Sequence, residues 1–156
     1  MKAKTGNFSI NSSQRDDPAG PSESQIKEKN WKKILLDLNL TKEERIQAAF
    51  HLENAGDDES VIIMGKALFS EPSPIVRHEI AFSLGESSHP SLASKYLMKA
   101  VEEDKNIFVR HEAILALATL GKKEFIPFIK KYLNDPEIEM AESAEIAVQR
   151  ITQTGC

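Results

Sequence analysis

Val76-Arg77-His78-Glu79-Ile80-Ala81-Phe82-Ser83-Leu84 is answered by Val109-Arg110-His111-Glu112-Ala113-Ile114-Leu115-Ala116-Leu117, an offset of 33 residues. A period of that length belongs to stacked helical hairpins rather than to a closed globular fold. His and Glu are costly to bury and contribute little to holding hairpins together. Both copies nevertheless carry them side by side on an otherwise apolar helix. Two His-Glu pairs one repeat apart have the look of metal ligands.

Working outward from the repeated phrase, the text reads as helices divided by caps. Ile26, Trp31, Ile34, Leu35 and Leu38 share one face at helical period. Thr41 with Glu44 is a capping box that opens a second helix, which Gly56 closes. Asp57-Asp58 opens a third, carrying Val61, Ile62, Met64, Ala67 and Leu68. Ser73-Pro74 starts the helix of His78, and His89-Pro90 the next, with Leu92, Tyr96, Leu97 and Val101 as its stripe. Asp104 to Asn106 leads into the helix of His111, which Gly121 ends. Lys122 to Leu133 reads as a seventh helix with Pro127 in its first turns. Asp135-Pro136 caps an eighth through Ile138, Ala144, Ala147, Val148 and Ile151. The expected fold is all-α, an α-solenoid of four helical hairpins over residues 25–152.

In register, Arg45, Arg77, Arg110 and Ala141 coincide, as do Leu52, Leu84, Leu117 and Val148. The arginines are expected to be ladder residues bonded to a neighbouring element rather than catalytic groups. The packing code is thus written four times, but His-Glu only twice. The first repeat has Ile46-Gln47 at those positions and the last has Glu142-Ser143. A role in stacking would not confine the pair to the two central repeats. His51 and His89, each outside this pattern, are expected to be structural.

Adjacent helical positions point about 100° apart, so His and its neighbouring Glu cannot aim along one direction. Parallel helices about 8–10 Å apart let imidazoles from successive repeats converge on one ion. Two His and one carboxylate match the facial set of non-haem iron(II), and zinc tolerates the same donors.

Composition narrows the alternatives. With 20 basic and 24 acidic residues the net charge is −4, not the basic footprint of a nucleic-acid binder. No apolar run approaches the roughly 20 residues of a bilayer span, so no membrane partner is expected. Met1 to Ile10 lacks the apolar core of a signal peptide. The single cysteine, Cys156, cannot form an internal disulfide, which fits a reducing, cytoplasmic setting. Residues 1–24 are rich in Ser, Asn, Gly, Pro, Lys and Asp and read as a disordered tail, and 153–156 as a short C-terminal one.

The phrases at Val76 to Gly85 and Val109 to Leu120, together with Asp135 to Arg150, resemble the deoxyhypusine hydroxylase family of HEAT-like (bilin-lyase-like) repeat proteins. The resemblance covers about residues 26–152. It implies a di-iron centre and O2, acting on a deoxyhypusine side chain, a modified lysine, of a translation factor. Residue by residue, it implies that His78, His111 and Glu112 hold one iron and that Glu79 faces the amine of the substrate. Residues 41–156 carry 19 acidic and 13 basic groups, a net −6 that suits a basic substrate. The family enzyme has two such halves and four His-Glu pairs, whereas this chain has one half and two pairs. Either a two-fold homodimer sets two identical ligand sets opposite one another and rebuilds a di-iron centre, or the chain keeps a mononuclear iron site. The competing expectation is a solenoid scaffold that binds proteins without catalysis. A third is a metal-sensing or chromophore-handling relative.

Overall fold

In the computed structural model, residues 30–154 are described, so Ile26, the expected tail over 1–24 and Cys156 lie outside them. Among the described residues there are eight α-helices: α1 Trp31–Leu35, α2 Lys42–Ala55, α3 Asp58–Ser70, α4 Pro74–Gly85, α5 Pro90–Glu103, α6 Ile107–Leu120, α7 Ile126–Lys130 and α8 Ile138–Thr154. A 3-10 turn, Lys123–Phe125, precedes α7. No strand occurs among them, and none of these helices is long and apolar enough to cross a membrane.

The helix starts are set by local hydrogen bonds that the sequence announces. The Thr41 hydroxyl accepts from the Glu44 N–H at 3.1 Å, and the Glu44 carboxylate accepts from the Thr41 N–H at 3.0 Å. Ser73 caps α4 through the Val76 N–H, with Pro74 in its first turn. Asn106 caps α6 through the Phe108 and Val109 N–H groups. Gly56 and Gly121 end α2 and α6 at φ 70° and 77°, a left-handed conformation that costs a side chain strain.

The helices form two layers. The second helices of the hairpins, α2, α4, α6 and α8, pack side by side in chain order, and α1, α3 and α5 form the other layer. Leu52, Leu84 and Leu117 are buried in the shared register, as are the small residues Ala49 and Ala81. Between the layers lie Val61, Met64, Leu68, Leu97, Val101 and Ile129.

Three details depart from expectation. α1 stops at Leu35, so Leu38 falls in a turn and is exposed. Ile138, at the start of α8, is exposed as well. The seventh helix is broken into the 3-10 turn and a five-residue α7, because Pro127 has no N–H to join a ladder from Lys122 onward.

The arginine ladder is present, and it changes along the chain. Arg45 is buried and donates through Nε and Nη2 to both oxygens of Glu71, at 2.8 and 2.9 Å. Arg77 donates likewise to Asp104, at 2.8 and 3.2 Å, and also to the Glu71 carbonyl at 3.0 Å. Arg110 instead donates to the Val101 carbonyl at 2.7 Å and lies over the Tyr132 ring. Glu71, Asp104 and Asp135 all accept the N–H two residues ahead, at 2.9 Å each. His51 stacks on Trp31 with ring centroids 3.9 Å apart, and His89 bridges the Gly56 carbonyl and the Asp58 carboxylate. Both contacts hold structure together.

The two helices that carry His-Glu approach one another closely at Gly85. A Cβ built on Gly85 of α4 would stand 2.8 Å from the Ala116 Cβ and 2.9 Å from its Cα. Backbone on that side cannot yield as a flexible side chain would. Gly85→Ala is expected to destabilise the fold by about 1–3 kcal/mol, read as a lower thermal midpoint. An unchanged midpoint would show that α4 and α6 are not held this tightly.

Candidate metal centre

α4 and α6 lie adjacent, and in each helix the His stands opposite the buried stripe with the Glu at its flank. The buried Val76, Ile80 and Val109, Ala113 on the opposite stripes fix that rotation. His78 Nε2 stands 3.2 Å from Glu112 Oε1, and His78 Nδ1 stands 3.2 Å from Glu79 Oε2. One imidazole is therefore held between two carboxylates, one from its own helix and one from the next repeat. Glu112 is the more enclosed of the two, its side chain 15% exposed against 44% for Glu79.

His111 occupies the equivalent place one repeat on. Its Nδ1 contacts the hydroxyl of Ser143 on α8, and that hydroxyl donates to the Glu139 carbonyl at 2.6 Å. Position for position, Ser143 stands to His111 as Glu112 stands to His78.

Electrostatics separates the members. Burial, and then the neighbouring His78, hold the His111 imidazole below its ordinary pKa. Burial pushes the Glu112 carboxyl up; His78 pulls it back, Glu79 raises it, and Arg150 lowers it. Both shifts mark groups withdrawn from water beside like or opposite charge, the pattern found at functional sites.

The structure thus brings His78, Glu79 and Glu112 into direct contact, with His111 close enough to feel the charge of His78. As the side chains lie, no three His, Cys, Asp or Glu residues among those described are gathered around one point that would hold an ion. The donor chemistry nevertheless fits a hard or borderline metal. His78 and Glu112 meet across the repeats through the imidazole Nε2, and each of the two imidazoles has a partner at Nδ1, Glu79 for His78 and Ser143 for His111. The His78–Glu112 contact is where a cation would replace a proton.

Beside the pair, Pro74, Ile75, His78, Glu79, Asn106 and Phe108 line a cleft of about 400 Å³. Its walls are apolar, and Ile75 and Phe108 are among the most exposed large hydrophobic residues. A second set, Phe50, Phe82 and Ile146, is exposed on α2, α4 and α8 at one register position, with half-buried Leu115 of α6 completing the row. Phe82 lies one turn beyond His78, on the same face.

Two features escaped the sequence reading. Ser143 was visible only as the residue aligned with Glu79 and Glu112, and a hydroxyl there gave no hint that it reaches back to His111. The Phe50, Phe82 and Ile146 row could have been found from the 32-, 33- and 31-residue steps, since each is an apolar residue where the helix should face water.

Comparison with known proteins gives the chain its relatives. The family model for HEAT repeats matches residues 63–149. Deoxyhypusine hydroxylase of Candida albicans is 33% identical over 135 residues, covering 85% of this chain and 42% of that protein. The Danio rerio enzyme of the same name is 32% identical, covering 86% of this chain and 44% of its own. The solved structure of human deoxyhypusine hydroxylase in complex with glycerol superimposes with a TM-score of 0.73 at 30% identity, covering 79% of this chain and 42% of that one. The chain therefore spans less than half the length of the relatives it matches. It belongs to the HEAT-repeat family and is a half-length relative of deoxyhypusine hydroxylase.

Proposed function

We propose that this chain is an iron- and O2-dependent hydroxylase that acts on a basic, deoxyhypusine-like amine side chain of a protein and works as a homodimer. The observation that carries the reading is the His78–Glu112 contact between the two central repeats, with His111 held in the parallel position. His78, His111 and Glu112 would hold iron, which when bound supplies the activation of O2 needed to hydroxylate a C–H bond. The chain's own residues do the rest. Glu79 keeps one oxygen on His78 Nδ1 and has its other oxygen for a substrate ammonium at the cleft. Ile75 and Phe108 give the aliphatic stem of such an amine an apolar wall. The likeness to deoxyhypusine hydroxylases favours a translation factor as the protein substrate, in the cytoplasm.

Dimerisation follows from the exposed row. Phe50, Phe82 and Ile146 flank the His-Glu face, and a second copy seated there buries them while setting one ligand set opposite another. The native protein is expected to sediment as a dimer at micromolar concentration, and Phe82→Glu as a monomer with unchanged helical content. A wild-type monomer that binds iron would remove the di-iron part of the reading.

Metal analysis of protein purified without chelator tests the function itself. About one iron per chain supports the hydroxylase. A stable, metal-free fold that takes up no added iron supports the other reading, a binding scaffold whose contact surface is the same apolar row.

A further inference from the structure

We infer that Ser143 is a positioning residue that fixes the ring of His111 in the Nδ1–H tautomer, so that a bare Nε2 is the atom offered to a cation. The inference rests on the proposed metal site and assigns a role to a residue outside it.

The argument is one of proton counting. A serine hydroxyl has a single hydrogen to donate and accepts with its lone pairs. Ser143 spends that hydrogen on the Glu139 carbonyl, at 2.6 Å one turn earlier on α8. Its oxygen is in hydrogen-bond contact with His111 Nδ1, so in that contact the oxygen must accept and Nδ1 must donate. A neutral imidazole has one N–H. With that proton committed at Nδ1, Nε2 is left with its lone pair.

Serine donating to the carbonyl four residues back is common in helices and by itself means nothing. Here the residue is 1% exposed, which removes the water that would otherwise compete for its oxygen. The register supplies the second observation. Glu112 and Ser143 occupy the same position in successive repeats, and each reaches the histidine of the repeat before it. At His78 that reach touches Nε2, whereas at His111 it touches Nδ1. The two histidines therefore receive different partners from one position. The first is given a carboxylate that can itself join a cation. The second receives a neutral acceptor that orients the ring and adds no charge. Outer partners of this kind set ring orientation and ligand basicity, and their loss typically weakens metal affinity 10–100-fold.

Two measurements on Ser143→Ala test the assignment. Imidazole nitrogen NMR of metal-free protein, with His111 signals identified by their loss in His111→Gln, reads the tautomer directly. Native His111 is expected to show a protonated Nδ1 and an unprotonated Nε2, and Ser143→Ala to shift toward the Nε2–H form that a free histidine side chain prefers. Iron(II) affinity is expected to fall roughly 10–100-fold in the same variant. Glu142→Ala, next to it on the exposed side of α8, should change neither. A native Nε2–H ring overturns the inference, and so does a Ser143→Ala protein with unchanged tautomer and unchanged affinity. Should native protein bind no iron yet show the Nδ1–H ring, the proposed function fails while the assignment of the ring stands.

Discussion

Glu71→Ala is expected to lower the stability of the fold by roughly 3–5 kcal/mol, the range found when one partner of a buried ion pair is removed. Arg45 cannot lose its charge, and it is 5% exposed, so without Glu71 a guanidinium is left in the core bonded to the Leu40 carbonyl, with Asp37 acting on it through its charge. The same change takes away the acceptor of the Ser73 N–H at the start of α4. Urea denaturation reads the loss. Asp104→Ala is expected to cost less, since Arg77 is less enclosed than Arg45 and keeps its bonds to the Glu71 and Pro72 carbonyls. The double replacement Arg45→Met, Glu71→Leu should recover much of the single-mutant loss, because it removes both charges together. A Glu71→Ala protein within about 1 kcal/mol of native would place the pair among the weak, surface-like bridges.

The second large effect concerns metal. His78→Ala and His111→Ala are each expected to abolish iron binding while leaving helical content intact. Both side chains lie on the outer face of their helices, and the apolar stripes beneath them are untouched by the change. The two glutamates should part company although the sequence writes them alike. Glu112→Ala is expected to weaken metal binding, since Glu112 meets His78 Nε2 across the repeats. Glu79→Ala is expected to keep metal and lose turnover or substrate affinity, since Glu79 meets only the outer nitrogen and borders the cleft. Equal metal loss in the two glutamate variants would defeat that division. Unfolding of both histidine variants would make the imidazoles core residues.

Much of this was legible in the chain because it is written in local chemistry. Thr41 with Glu44, Ser73 with Pro74, and the two positive-φ glycines each act within one turn, so residue type alone locates them. The 33-residue period needs only side-by-side reading, and the arginine ladder follows from the same register. What was not legible depends on where separate segments meet. Leu38 had the right spacing for the core but lies past the end of α1, which hydropathy does not mark. Arg110 shares the sequence position of Arg77 yet takes the Val101 carbonyl and the Tyr132 ring, partners that its own repeat position does not announce. Ser143 looked like the absence of a glutamate. Its contact with His111 spans 32 residues and appears only when α6 and α8 are laid together.

That contact and its counterpart share a direction. Glu112 serves the histidine of the preceding repeat, and Ser143 does the same. Each histidine's environment is therefore composed by the module that comes after it, and the chemical unit is the seam between modules. Shuffling the four hairpins into another order would preserve every motif, every cap and the amino-acid composition. Any order that separates the two central hairpins would still dismantle the centre, because His78 would face a different successor. A designer borrowing this site has to transplant three consecutive outer helices as a block, α4 for His78, α6 for His111 and Glu112, and α8 for Ser143. Conversely, a lineage that duplicates the second central hairpin in place would gain a new histidine that already has its partner waiting in the next one. For a protein built from repeats, the heritable working part is the joint.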